Sequence, residues 1–243
     1  MKKTIGFIGA GNMAGAIIKG MIKSNQFSGE EIAVYDTDAE KSKLLRDEIG
    51  VTICNNNIEL IRECDAVLIA VKPNCLEELL KQIAQELDKQ NTFVMCIAAG
   101  QSIEKIESFL TGKNPIVRVM PNINAVASEA MSGYAKNEYV SKEDEEKAVK
   151  ILKCFGKAIE IDESMFSVFS AVAGCAPAYV YLFADMLARC GVRDGMTKQK
   201  SLEIVLDEVI KSSNAFDKCD CDEQFCEIIK NGLNQAFEKD KKI

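Results

Sequence analysis

The chain has 243 residues, 47% of them hydrophobic, enough for one substantial core or a core plus a smaller helical unit. Its 30 basic and 37 acidic residues are interspersed and leave a net charge of −7, which favours solubility and argues against a nucleic-acid partner. Histidine is absent from the sequence, so every mechanism built on a histidine base is excluded, Ser-His-Asp and Cys-His arrangements among them.

The apolar runs 66–71 and 92–99 fall far short of the ~20 residues a membrane helix needs, and no membrane partner is expected. Glycines and Asn12 interrupt the apolar stretch behind Lys2 and Lys3, which argues against a signal peptide and for a cytoplasmic protein. The 10 cysteines are scattered through predicted strands and helices and read as reduced thiols. The tight group Cys219, Cys221 and Cys226 lacks a fourth ligand nearby, so no metal site is expected.

Strand-like runs alternate with helical patterns through the first two thirds, as βαβ units and a mainly parallel sheet require. Residues 4–8 read as a first strand, 12–22 as a helix with apolar positions at Met13, Ala16, Ile17 and Met21, and 32–35 as a second strand ending at Asp36. A charged helix over 39–49, a short strand over 51–54 and a short helix over 57–63 lead to a strand over 65–71, broken by Lys72-Pro73. A helix over 76–87 precedes a strand over 92–97, which ends at the small-residue turn Ala98-Ala99-Gly100. Ser102 is placed to cap the next helix. Strands follow over 115–119, 132–135 and 158–161, with a helix over 142–154 between the last two.

Beyond Glu163 only helical periodicity remains, over about 177–190, 197–212 and 223–239. The first of these is apolar nearly all round, so it should be covered on several sides. In a chain this short a second protomer is the natural cover, and a homodimer or larger homo-oligomer is expected. The whole reads as an α/β fold: a Rossmann-type doubly wound domain over 1–162 followed by a smaller all-helical domain over 163–243.

The loop Gly9-Ala10-Gly11-Asn12-Met13-Ala14 follows a strand and opens a helix, and Asp36 ends the next strand. That arrangement is the dinucleotide fingerprint. Gly9 allows the tight turn, Gly11 lets the backbone approach a pyrophosphate, and Ala14 keeps helix and strand close. The helix start offers free N–H groups to the phosphates. Asp36 can accept from the adenosine ribose hydroxyls and would repel a 2′-phosphate, so NADH should bind at least as well as NADPH. Lys41, one helical turn away, weighs against this.

Five stretches together resemble the pyrroline-5-carboxylate reductase family: residues 6–14, Ala70-Val71-Lys72-Pro73, Ala98-Ala99-Gly100, Arg118-Val119-Met120-Pro121-Asn122 and Pro177-Ala178-Tyr179. The resemblance implies an NAD(P)H-dependent reductase of a cyclic imine in proline biosynthesis, with a helical domain that interlocks with a partner subunit. It implies that Phe7, Ile8, Thr37, Asn57, Ala70, Val71, Lys72, Pro73, Ala98, Ala99 and Gly100 line the cofactor with the glycine loop and Asp36, and that Lys72-Pro73 lies near the nicotinamide. A small-molecule substrate would meet Asn122, Asn124 and Cys175. Reduction of a protonated imine needs no strong general acid, and hydride transfer belongs to the cofactor.

The departures from the family fall on the substrate side. The family's Ser-Pro-Gly-Gly-x-Thr turn is not matched after Ser212-Ser213, so its threonine is missing and the catalytic residue is unknown. Gly174-Cys175-Ala176-Pro177 stands for Gly-Ser-Gly-Pro, and Ile123-Asn124 for Thr-Pro. Three readings follow: reduction of pyrroline-5-carboxylate with substitute donors such as Asn122, Asn124 or Ser212-Ser213-Asn214, reduction of another small imine or carbonyl compound, or nucleotide binding without turnover. A hydroxyacid dehydrogenase needs Lys and Asn one turn apart on the helix over 177–190, which has neither.

Overall fold

In the computed structural model, which describes residues 2–216 and Glu227, eight strands form one sheet in the order β3-β2-β1-β4-β5-β6-β7-β8. The strands are β1 Lys3–Ile8, β2 Ile32–Tyr35, β3 Thr52–Ile53, β4 Cys64–Ile69, β5 Phe93–Cys96, β6 Ile116–Met120, β7 Ala130–Lys136 and β8 Gly156–Glu160. All neighbours are parallel except β6 and β7. The chain moves outward from β1 to β3 and then returns to the other side of β1 at β4. The carboxyl ends of β1 and β4 therefore flank a topological switch point, where open α/β sheets hold ligands.

Alternation along the strands feeds both faces of the sheet. Ile5, Phe7, Ala66 and Leu68 pack with Ile17, Ile18, Met21 and Phe155 on one side. Ile8, Val67 and Ile69 pack with Leu60, Leu80 and Ile83 on the other.

The helices are α1 Asn12–Lys23, α2 Ala39–Ile49, α3 Asn57–Glu63, α4 Pro73–Gln90, α5 Ile103–Glu107, α6 Lys142–Lys153, α7 Phe166–Phe169, α8 Ala176–Arg193 and α9 Lys198–Phe216. Local chemistry sets their ends. Asp38 and Asn56 cap α2 and α3 through their side chains, Ser102 accepts from the Lys105 N–H at the start of α5, and Gly50 closes α2 with φ 75. The break expected at Lys72-Pro73 is a helix start: Pro73 occupies the first position of α4, where its missing N–H costs nothing. The strand before it accordingly stops at Ile69, and Ala70 and Val71 form the connecting loop.

Contacts between Cα atoms divide the chain at Pro177–Ala178 into two compact units. The first ends in a continuous helical run: a 3₁₀ turn at Glu163–Met165, then α7, then a π-helical segment at Ser170–Gly174. In the second, Ser201 on α9 donates to the Ala188 carbonyl of α8 at 2.8 Å, while Tyr179, Tyr181, Leu182, Phe183 and Met186 are more than half exposed. Taken with what precedes it, the run Glu163–Arg193 is long and apolar enough by length and composition to cross a membrane, with mean hydropathy 1.6 over an 18-residue stretch. Serines, Gly174 and Pro177 interrupt the apolar run, which hides this in the sequence even though residues 164–184 carry no charge. The helix expected over 223–239 and the group Cys219, Cys221 and Cys226 lie outside the described residues.

Candidate functional site

The glycine loop is built by backbone geometry first. Gly9 has φ 103, a left-handed conformation that L side chains rarely adopt, and a Cβ there would stand 2.7 Å from the Ala70 carbonyl oxygen. Its N–H donates to the Tyr35 carbonyl at 2.8 Å and the Ala70 N–H to Ile8 at 2.8 Å, so the ends of β1, β2 and β4 are drawn together at this turn. Gly11 differs. As N-cap of α1 it has φ −71 and ψ −176, which any residue adopts, and a Cβ there would meet nothing within 4 Å. What glycine preserves at this position is open space.

That space faces the start of α1, which has no side-chain cap and no acidic residue in its first turn. The free N–H groups and the positive end of the helix dipole suit an anion. A cleft of about 390 Å³ opens there, lined by Ile8, Gly9, Gly11, Asp36, Thr37, Asn57, Ala70, Val71 and Lys72. Nine expected residues from four chain segments thus converge. Asn57 Oδ1 is buried in this wall without a hydrogen-bond partner, an acceptor awaiting a donor such as a hydroxyl or amide. These features fit a dinucleotide: an anion seat, a cradle that a Cβ would fill, and an orphaned acceptor.

The cleft also contains residues the sequence did not single out. Cys75, Glu78, Leu79 and Gln82 line it from α4, and Tyr35 from the end of β2. Their i, i+3, i+4, i+7 spacing was the available signal, marking the face α4 turns toward the strand ends. Lys41 lines it too, with its ammonium 3.5 Å from Asp38.

Several expected contacts need correction. Phe7 is fully buried in the core, because alternation along β1 turns it toward α1 and away from the cleft. Asp36 does more than face a ribose: its Oδ2 accepts the Ala10 N–H at 2.7 Å and its Oδ1 the Asp38 N–H at 2.8 Å. The carboxylate therefore ties the glycine loop to the end of β2, keeping one further lone pair per oxygen for a ligand. Ala14 is buried against the sheet as a spacer. Met13 packs on the core, Asn12 and Pro73 are exposed, and Ala98, Ala99 and Gly100 follow β5 on the same carboxyl edge without lining this cleft.

On the other expected surface, Asn122 is buried and its amide is committed at both ends. Oδ1 accepts the Asn124 N–H at 3.2 Å, and Nδ2 donates to the Ala173 carbonyl at 3.0 Å. The second bond has a covalent cause: Pro177, four residues after Ala173, has no N–H to give that carbonyl, and Asn122 replaces the missing helix donor. The substrate contact expected of Asn122 becomes a contact within the chain. Cys175, exposed, follows directly on the π-helical segment. Nearby, Arg118 pairs with Glu163 at 2.9 Å and stacks on Phe166 at 4.0 Å, and Glu163 also accepts the Ile103 N–H at 2.7 Å. These contacts bolt the end of β6 to the helical run.

Among the described residues, no buried thiol is poised as a nucleophile. Burial pushes Cys54 and Cys96 up to about 11 and Cys64 to about 12, so all three stay protonated at neutral pH.

Two family models match. Residues 4–100 match NADP oxidoreductase coenzyme F420-dependent, and residues 163–240 match pyrroline-5-carboxylate reductase dimerisation. The chain is 33% identical over 213 residues to the pyrroline-5-carboxylate reductase of Escherichia coli (strain K12), covering 88% of this chain and 79% of that one. The chain belongs to the pyrroline-5-carboxylate reductase family. The reductase of Aquifex aeolicus is 35% identical over 209 residues, covering 86% of this chain and 76% of that one. Among solved structures, Plasmodium falciparum pyrroline carboxylate reductase with NADP bound superposes with a TM-score of 0.85 at 28% identity, covering 99% of this chain and 91% of that one. The family is thus one of nicotinamide-dependent reductases with a dimerisation region.

Proposed function

We propose that the protein reduces 1-pyrroline-5-carboxylate to L-proline with NAD(P)H, in the cytoplasm and as a homodimer or larger homo-oligomer. The observation that carries this reading is the cleft at the β1/β4 switch point, with open space over Gly11 and the orphaned Asn57 Oδ1, in a chain of this family.

In this reading residues 9–14 seat the pyrophosphate, Asp36 and Thr37 face the adenosine ribose, and Asn57 and residues 70–73 line the way to the nicotinamide. Ala98, Ala99 and Gly100 complete the carboxyl edge. The bound cofactor supplies hydride to the imine carbon, and the ring nitrogen, protonated beforehand, becomes the amine. The protein's task is orientation, with reacting atoms ~3–3.5 Å apart, and exclusion of water. Asp36 beside the ribose favours NADH, and Lys41 on the same wall is the residue through which NADPH would be accepted. Cys175 and Asn124 face the substrate, and Asn122 acts by holding the Ala173 carbonyl. We place the functional boundary at 162/163, where the dimerisation match begins. The exposed face of α8 is covered by a second copy rather than by lipid, which is the reading the match over 163–240 supports.

One observation favours a second reading: no Ser-Pro-Gly-Gly-x-Thr turn occurs in the 243 residues, so the same cleft could serve a different small imine. Steady-state assays with NADH and NADPH against pyrroline-5-carboxylate and a panel of cyclic imines decide between them. Turnover restricted to another imine would overturn the first reading, and cofactor binding with no turnover of any would overturn both.

A further inference from the structure

At the amino-terminal edge of the sheet, opposite the cofactor cleft, three buried oxygens lack hydrogen-bond donors: Asp88 Oδ1, Asn114 Oδ1 and Thr92 Oγ1. Asn114 and Thr92 are 2% and 3% exposed. The Asn114 amide is oriented by its other end, since Nδ2 donates to the Leu87 carbonyl at 2.9 Å and the Thr92 carbonyl at 3.2 Å. Asp88 is fixed in the same way, because its Oδ2 accepts both the backbone N–H and the hydroxyl of Thr111. The left-over oxygens of Asp88 and Asn114 border one gap beside Gly112. A Cβ on Gly112 would stand 2.9 Å from Asp88 Oδ1 and 3.2 Å from Asn114 Oδ1.

A carboxylate oxygen and an amide oxygen facing one gap repel unless something positive or doubly donating lies between them. The surroundings select a cation. The carboxyl end of α4 contributes its negative dipole end beside Asp88, and Glu107 and Glu138 line an adjoining cavity of about 200 Å³ with Asn114 and Gly112. Among the described residues no ion pair reaches Asp88. The nearest lysine of the loop, Lys113, holds its ammonium 5.5 Å from the centre of the Tyr139 ring.

We propose that Asp88 Oδ1 and Asn114 Oδ1 bind a hard monovalent metal cation, Na⁺ or K⁺. All-oxygen donors select a hard ion. One carboxylate balances a single positive charge, and no three His, Cys, Asp or Glu converge among the described residues to hold a transition metal. The site pins the turn after α4 to the loop before β6, remote from the cleft, so its occupancy acts on stability and not on turnover.

Thermal unfolding of the full chain in NaCl, KCl or tetramethylammonium chloride at a constant ionic strength of about 0.1 M tests this. A metal cation binding only the folded state raises the midpoint, by about 3 °C at tenfold saturation over the tetramethylammonium control. The increment disappears in Asp88→Asn, which removes the charge, and in Gly112→Ala, which keeps every oxygen but fills the gap. Since the readout is the difference between salts, a general loss of stability in either variant does not obscure it. Equal midpoints in all three salts would show that a buried water alone occupies the gap and would overturn the proposal. So would a sodium or potassium increment that survives both substitutions.

Discussion

Replacing Gly11 with valine separates cofactor binding from folding. The backbone there is extended and nothing lies within 4 Å of a Cβ, so valine fits without strain. The cost to the fold is that of a poorer N-cap, about 1 kcal/mol, or a fall in midpoint of roughly 2–4 °C for a chain of this size. For the cofactor the same methyl groups stand where the pyrophosphate meets the start of α1. Losing the helix-end interaction alone removes up to ~2 kcal/mol, about 30-fold in affinity, and steric exclusion adds to it. Titration of NADH and NADPH by fluorescence, with thermal unfolding of the same samples, reads both effects. Gly9→Ala is the contrasting variant: φ 103 and a 2.7 Å approach to the Ala70 carbonyl make it lose fold and binding together. Unchanged cofactor affinity in a folded Gly11→Val protein would refute the placement of the pyrophosphate.

Asn122→Ala leaves the Ala173 carbonyl and the Asn124 N–H without their partner, a loss of about 1–3 kcal/mol measurable by denaturant unfolding; it should lower kcat/KM for the imine while cofactor affinity stays constant. Phe183→Asp puts a charge on the exposed face of α8 and should yield a monomer by light scattering, whereas an unaltered oligomer would exclude that face from the interface. Glu86 accepts two bonds from Arg62 at 2.8 and 3.0 Å, and these hold its carboxyl down at about 2 from the ordinary 4.5. A depressed carboxylate stabilises above its unfolded pKa and loses that contribution as pH falls toward the folded one. Glu86→Gln should therefore flatten the decline in midpoint between about pH 4.5 and 2, and an unchanged acid limb would show that the pair contributes nothing.

The sheet was legible because its strands carry strong period-two and apolar signals and the glycine loop sits in the expected strand-turn-helix context. Asp36 and residues 70–72 meet on one cleft from their places just beyond strand ends, whereas Asn57, at the start of α3, came from the family resemblance alone. What escaped the sequence was side-chain commitment. Nothing in the local pattern says that Asp36 is already engaged by Ala10 and Asp38, or that Asn122 compensates a proline 55 residues later, since both depend on contacts between distant segments. Phe7 was misplaced because a motif names neighbours along the chain, while the pleat sends them to opposite faces. The antiparallel turn of β7 against β6 likewise depends on where the chain reverses, which residue type alone does not specify. The apolar circumference of α8 was plain from the sequence; that most of it lies exposed within one chain is what the fold adds.

The most direct test of the central claim is oxidation of NADH and NADPH by the purified protein at saturating 1-pyrroline-5-carboxylate, with proline measured as product. Stoichiometric proline formation that disappears in Gly11→Val is the predicted result. Tight cofactor binding with no proline formed at any substrate concentration would contradict it.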